Sequence, residues 1–190
     1  MLADRSCRRR EGTGILEVNM NQSIASSSME KVMREGDLIV SMTDLKGVIT
    51  YGNRVFIEVS GYSEEELLGS PHSIVRHPDM PRAMYKLLWD KIQNREECFI
   101  YLKDRGRDGS YCWVFANITP TFDPSGNVTG YFSVRRKPKA SGVQAMSGIY
   151  QAMLDAEKRD PANAIAASSK VLADKLKEKG LSYEEFVLAI

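Results

Sequence analysis

CFIYLKDRGRDGSYCWVFANITPTFDPSGNVTGYFSVRR, residues 98–136, is the stretch whose reading decides the fold. Apolar and polar side chains alternate with a period of two across 98–104, 110–122 and 128–136, which predicts three long strands. The insets Arg105-Gly-Arg-Asp-Gly109 and Asp123-Pro-Ser-Gly-Asn127 carry the glycine, aspartate and proline that tight turns need. Three strands joined this closely form an antiparallel meander.

Upstream the period changes. Met80, Met84, Leu87, Leu88 and Ile92 recur at helical spacing, and Pro81 suits the first turn of that helix. Residues 71–78 hold two prolines and both histidines and read as irregular. Two short helices precede them. Asn53 is placed to cap 53–60, with Gly61 at its exit, and Ser63 with Glu66 makes a capping box ahead of Gly69. Two further strands, 38–43 and 48–51, flank the turn Asp44-Leu-Lys-Gly47. Ser27 with Glu30 and a stop at Gly36 predict a cap helix in 27–37, and 1–26 reads as a flexible leader, with Met20 and Met29 as alternative starts. Downstream, 140–190 reads as a helical tail. Asp160-Pro161 breaks it, Gly180 stops its second helix, and Ser182 with Glu185 opens a third. The expected class is α+β: a five-stranded antiparallel sheet with helices gathered on one face, plus a C-terminal helical appendage.

Composition narrows the function. With 43% hydrophobic residues and a net charge of +1, the chain reads as globular, without the one-signed field that marks a nucleic-acid partner. No apolar run reaches the ~20 residues of a membrane span. Cys7, Cys98 and Cys112 form no CxxC pair, and His72 with His77 completes no zinc spacing, so no metal is expected and a cytoplasmic, reducing setting is. No Ser-His-Asp arrangement, phosphate loop or convergent carboxylate pair supports catalysis.

ITYGNRVFIEVSGYSEEELLGSPHSIVRHPDMP, residues 49–81, and DGSYCWVFANITPTFDPSGNVTGYFSVRRKP, residues 108–138, resemble the opening and closing segments of the PAS domain of bacterial aerotaxis receptors. The resemblance covers 38–139. N-x-x-F-x-x-V-S-G-Y-S and D-G-x-x-x-W mark the PAS fold in general, whereas PHSIVRHPDMP is the hallmark of the aerotaxis branch. It implies a sensor that holds FAD non-covalently and signals redox or oxygen status. Cys98 and Ile100 depart from that branch, which often has a tryptophan and a small residue there. Ser70 to Asp79 lacks the cysteine that light-driven flavin adducts need.

On this reading the cofactor contacts are Asn53, Arg76, His77, Asp79, Trp89, Trp113 and Asn117. Arg76 is suited to a phosphate, His77 to the flavin or to fixing its own loop, and Asp79 to the ligand or to capping the helix from Met80. Trp89 lies one position off the apolar stripe, as ligand wall or core. Trp113 shares a strand face with Tyr111, Phe115 and Asn117, opposite Cys112, Val114, Ala116 and Ile118; alternation does not say which face meets the ligand. The alternatives are a cofactor-free interaction module and a haem site on His72 or His77. No kinase, cyclase or methyl-accepting segment is recognised in these residues. The signal is therefore expected to leave by contact with a signalling protein, through a tail whose stripes at Ile149, Met153 and Ala156 and at Ile165, Leu172 and Leu176 either fold back or make a homodimer.

Overall fold

A computed structural model describes residues 29–190. The leader, and the first two residues of the expected cap helix, lie outside them. The strands are β1 (Leu38–Thr43), β2 (Ile49–Gly52), β3 (Cys98–Arg105), β4 (Tyr111–Phe122) and β5 (Val128–Arg136), and the sheet order is β2-β1-β5-β4-β3, antiparallel throughout. Helices α1 (Arg54–Ser60), α2 (Glu64–Leu67) and α3 (Arg82–Gln93), with a 3-10 turn at His72–Val75, lie between β2 and β3. The tail comprises α4 (Ala140–Arg159), α5 (Ala164–Lys179) and α6 (Tyr183–Ala189).

The caps expected from sequence form. Asn53 accepts from the Phe56 N–H, and Gly61 ends α1 at a φ of 73°. Both the Ser63–Glu66 and Ser182–Glu185 boxes are reciprocal.

Two expectations fail. Residues 29–37 hold no helix. Glu30 makes a parallel bridge with Tyr111, the Lys31 N–H donates to the Tyr111 carbonyl at 2.7 Å, and Tyr111 returns a bond to Met29 at 3.0 Å. A helix of two turns is marginal alone, and the start of β4 offers this backbone partners in its place. Nor does Asp79 cap α3. That position falls to Pro81, which has no side chain to donate or accept, and the open Arg82 N–H is met at 2.7 Å by Glu157 from the tail.

The tail covers the second face of the sheet. Tyr101 and Phe115 are buried there, Trp113 stacks on Tyr150 at 6.1 Å, and Gly142 lies against the Tyr101 ring, where any Cβ would overlap the hydroxyl. Ile149, Met153, Ala156 and Leu172 are buried within the chain. Their stripes therefore fold back; Ile165 stays exposed.

Both sheet edges are occupied. On β3 the outward carbonyls of Phe99 and Tyr101 accept from the hydroxyls of Tyr183 and Tyr150, the Lys103 N–H reaches the Met80 sulfur, and Asp104 bridges Arg76. On β2, Ile49 exchanges bonds with Gly69 and Ser70, both at 2.9 Å.

Candidate functional site

A cavity of about 300 Å³ lies between the sheet and α3. That is the low end of the range for small-molecule sites. Leu102 and Asp104 of β3, Ile118 of β4 and Tyr131, Ser133 and Arg135 of β5 make its floor. The 3-10 turn contributes His72 and Val75, α3 contributes Tyr85, Leu88 and Trp89, and Lys46 and Gly47 close one end. Strand parity explains the choice of face. Val114 and Ile118 share the inner side of β4, whereas the aromatics of that strand point to the tail.

Gly47 makes room for Trp89. Its φ is 78°, a region that disfavours side chains, and an added Cβ would lie 3.1 Å from the indole. The indole also meets Tyr131 edge-on at 5.5 Å.

A buried polar network runs along one wall. Arg135, 4% exposed, donates from Nη1 to Asp104 at 3.0 Å and from Nη2 to His72 Nε2 at 2.9 Å. Ser41 Oγ sits 3.0 Å from the same nitrogen. Because guanidinium only donates, Nε2 must be the lone-pair nitrogen and His72 is neutral. Burial and the positive charge of Arg135 lower its pKa to about 3. Burial raises the Asp104 carboxyl against the pull of Arg135. Losing one partner of such a pair costs about 3–5 kcal/mol. Ser133 Oγ and Arg135 Nε are buried without a hydrogen-bond partner among the described residues. The wall thus holds three cations (Lys46, Arg76 and Arg135) against one carboxylate.

The expected contacts divide. Arg76 and Trp89 line the cavity, and the Arg76 guanidinium lies 3.8 Å from the Tyr85 ring centroid. His77 and Asp79 do not line it. His77 is 1% exposed, meets Tyr111 edge-on, and accepts the Asp79 N–H at Nδ1. Burial and Lys103 lower its pKa to about 4, so its 3.6 Å approach to Asp79 is no ion pair at neutral pH. Asp79 pairs instead with Lys103 at 2.8 Å. The Arg76–Met80 segment is therefore a strap that fastens α3 to the edge of β3. Asn53 also stays outside, receiving the Val40 N–H and donating to the Leu38 carbonyl. Trp113 and Asn117 lie on the opposite face of the sheet, where Asn117 donates to Glu97 at 3.0 Å. Cys98 and Ile100 point inward and are buried but do not reach the cavity. Sequence reasoning passed over His72 as a network member, and Ser133 and Arg135 altogether. The available signal was the Arg135-Arg136 pair inside an alternating strand, since parity sends one of them inward.

Among the described residues no group of three His, Cys, Asp or Glu is arranged to hold a metal, and no helix is long and apolar enough to cross a membrane.

Sheet order, cavity and strap together define an α+β domain that encloses a cavity between its sheet and its helices. A profile of the PAS fold matches residues 37–137, and the chain belongs to that family. It is 37% identical over 115 residues to the aerotaxis receptor of Escherichia coli (strain K12), a match covering 60% of this chain and 22% of that protein. The nitrogen fixation regulatory protein of Klebsiella pneumoniae is 29% identical over 105 residues, covering 55% of this chain and 21% of its own length. The chain thus spans about a fifth of either relative. Among solved structures, a light-oxygen-voltage domain studied with a flavin analogue superposes with a TM-score of 0.52 at 23% identity, covering 57% of this chain and 82% of that one. The Aureochrome1 light-oxygen-voltage photoreceptor in its light state gives 0.51 at 22%, covering 61% and 91%. These likenesses establish the fold.

Proposed function

We propose that this chain is a cytoplasmic, non-catalytic sensor module that binds FAD in the cavity and signals redox or oxygen status by protein–protein contact. The observation that carries the reading is the cavity itself. Aromatic walls at Tyr85 and Trp89 suit a fused ring, and the cationic wall at Arg76 and Arg135 suits its polar groups. A bound flavin would supply a reversible electron store. Arg76 would hold the ligand, Trp89 and Leu88 would exclude water from one face, and Arg135 would link the ligand to Asp104 on β3, the strand to which α3 and the tail are fastened. Asn117, across the sheet from the cavity, has no part in that link.

The tail stripes are used within the chain, so a homodimer needs another surface. The outer face of β1, β2 and β5 supports one. Leu38 and Tyr51 are 46% and 47% exposed there, and Tyr51 is in register with Met42 and, through it, Phe132.

The test is the absorption spectrum of the purified chain before and after FAD is added. A flavin band retained through gel filtration is expected. Protein that stays colourless, with no flavin by mass spectrometry, defeats the reading. A Soret band would point to haem, which at His72 would have to take Nε2 from Ser41 and Arg135.

A further inference from the structure

The helix that roofs the cavity begins without a cap of its own. Pro81 stands at the cap position of α3, and no side chain of that segment caps the helix. The acceptor comes from the tail. Glu157 Oε1, near the end of α4, takes the Arg82 N–H at 2.7 Å and the Ser168 hydroxyl of α5 at 2.8 Å. One carboxylate oxygen thus joins three helices, and Ser168 is fully buried at the joint. Toward its other end α3 is held again, where Lys91 pairs with Glu184 of α6. Between these fastenings α3 carries Tyr85, Leu88 and Trp89, its contribution to the cavity wall.

The tail reaches α3 by wrapping around the β3 edge. Tyr150 of α4 stacks on Trp113 at the outer face of the sheet, whereas α5 packs against α3 in the helical layer. A helix of 12 residues is marginal alone. A carboxylate at its N-terminus favours it twice, as an acceptor and as a charge. We infer that the tail is a clasp for the cavity: Glu157 is the positioning residue that holds α3 against the sheet, and release of the tail opens the space beneath Trp89. The coupling runs both ways. A molecule that holds α3 down also holds the tail, and a partner that draws the tail away opens the cavity. The clasp needs no particular occupant and so stands apart from the flavin reading.

Hydrogen exchange of the full chain as purified tests the clasp, with β5 as internal reference. Glu157→Ala is expected to speed exchange of the α3 amides about fivefold relative to β5, the worth of a lost cap. Glu157→Gln keeps an oxygen acceptor without the charge. A rise of about threefold is expected from it, and it carries the test if the alanine variant does not fold. Asp155→Ala removes a neighbouring carboxylate whose partner is Gln151, and should leave α3 unchanged. Gly142→Val acts from a distance, about 22 Å along α4 from Glu157 at the rise of a helix. In a Trp113→Phe background Trp89 is the sole tryptophan of the chain. Acrylamide should quench it more strongly once Gly142→Val lifts the tail. Three results overturn the inference. One is α3 exchange that rises no more than that of β5 in the Glu157 variants. Another is Asp155→Ala matching them. The third is a Gly142→Val tail cut by protease while α3 exchange and Trp89 quenching stay as in the native chain.

Discussion

The Tyr150 hydroxyl donates to the Tyr101 carbonyl at 2.7 Å and so ties the tail to the outer edge of the sheet. Tyr101 in turn donates its own hydroxyl to the Ile190 carbonyl at 3.1 Å, so one residue of β3 holds both α4 and the residue that follows α6. Tyr150→Phe keeps the ring on Trp113 but strands that carbonyl. A loss of about 1–3 kcal/mol is expected, read as a lower urea midpoint together with faster hydrogen exchange in β3.

Gly142→Val tests the same attachment more severely, since its side chain would occupy the space of the Tyr101 hydroxyl. The tail should lift, and limited proteolysis should cut within α4 while the sheet survives. An uncut tail would show that α4 shifts at little cost.

Truncation at Lys139 uncovers Tyr101, Phe115 and Trp113 together. Light scattering should show the shortened chain aggregating. The full chain should give a dimer that Tyr51→Lys weakens, because Tyr51 lies on the open face and not under the tail. A full chain that is monomeric at every concentration contradicts the proposed dimer.

The strap separates two substitutions. Arg76→Ala should reduce flavin retention severalfold with little change in melting temperature, because Arg76 lines the cavity. His77→Ala should cost about 2–3 kcal/mol, as a buried ring is lost, while flavin per folded molecule stays the same. The opposite pattern would make His77 the ligand contact.

Stability should fall on acidification above the carboxylate range. His72 has a pKa of about 3 in the folded chain, against about 6.5 when unfolded. The folded value is the lower one, so the unfolded chain takes the proton first. The contribution is complete above about pH 6.5 and is lost as pH falls toward 3. The slope is at most about 1.4 kcal/mol per unit for that proton. Urea midpoints at pH 7 and pH 5 should differ for the native chain and differ less for His72→Gln.

Much of this architecture is legible in the sequence because the strands of 98–136 keep a strict period and the helix ends carry their own capping residues. The site is less so. Alternation separates Trp113 from Val114 but is blind to which set faces the ligand, and here both sets are covered, one by α3 and the other by the tail. Aromatic side chains suggested a ligand wall on β4; they pack toward the tail instead, and the cavity side of β4 is aliphatic at Val114 and Ile118. Arg135 escaped notice because an arginine in a strand reads as solvent-facing until its carboxylate partner, 31 positions away, is placed beside it. His77 looked like a loop residue because its burial depends on Tyr111, a residue of another strand.

The occupied sheet edges bear on how this chain can be recognised. Capture of an extended peptide by strand addition needs a run of free backbone donors and acceptors at an edge. On β3 those groups are engaged by two tyrosine hydroxyls, a thioether and the strap, and on β2 by the turn that follows α2. A partner must therefore read side chains instead of edge backbone, and the open face of the sheet is one surface that offers them. Its affinity should then respond to substitutions at Leu38 or Tyr51 and be indifferent to the strand propensity of the peptide it offers.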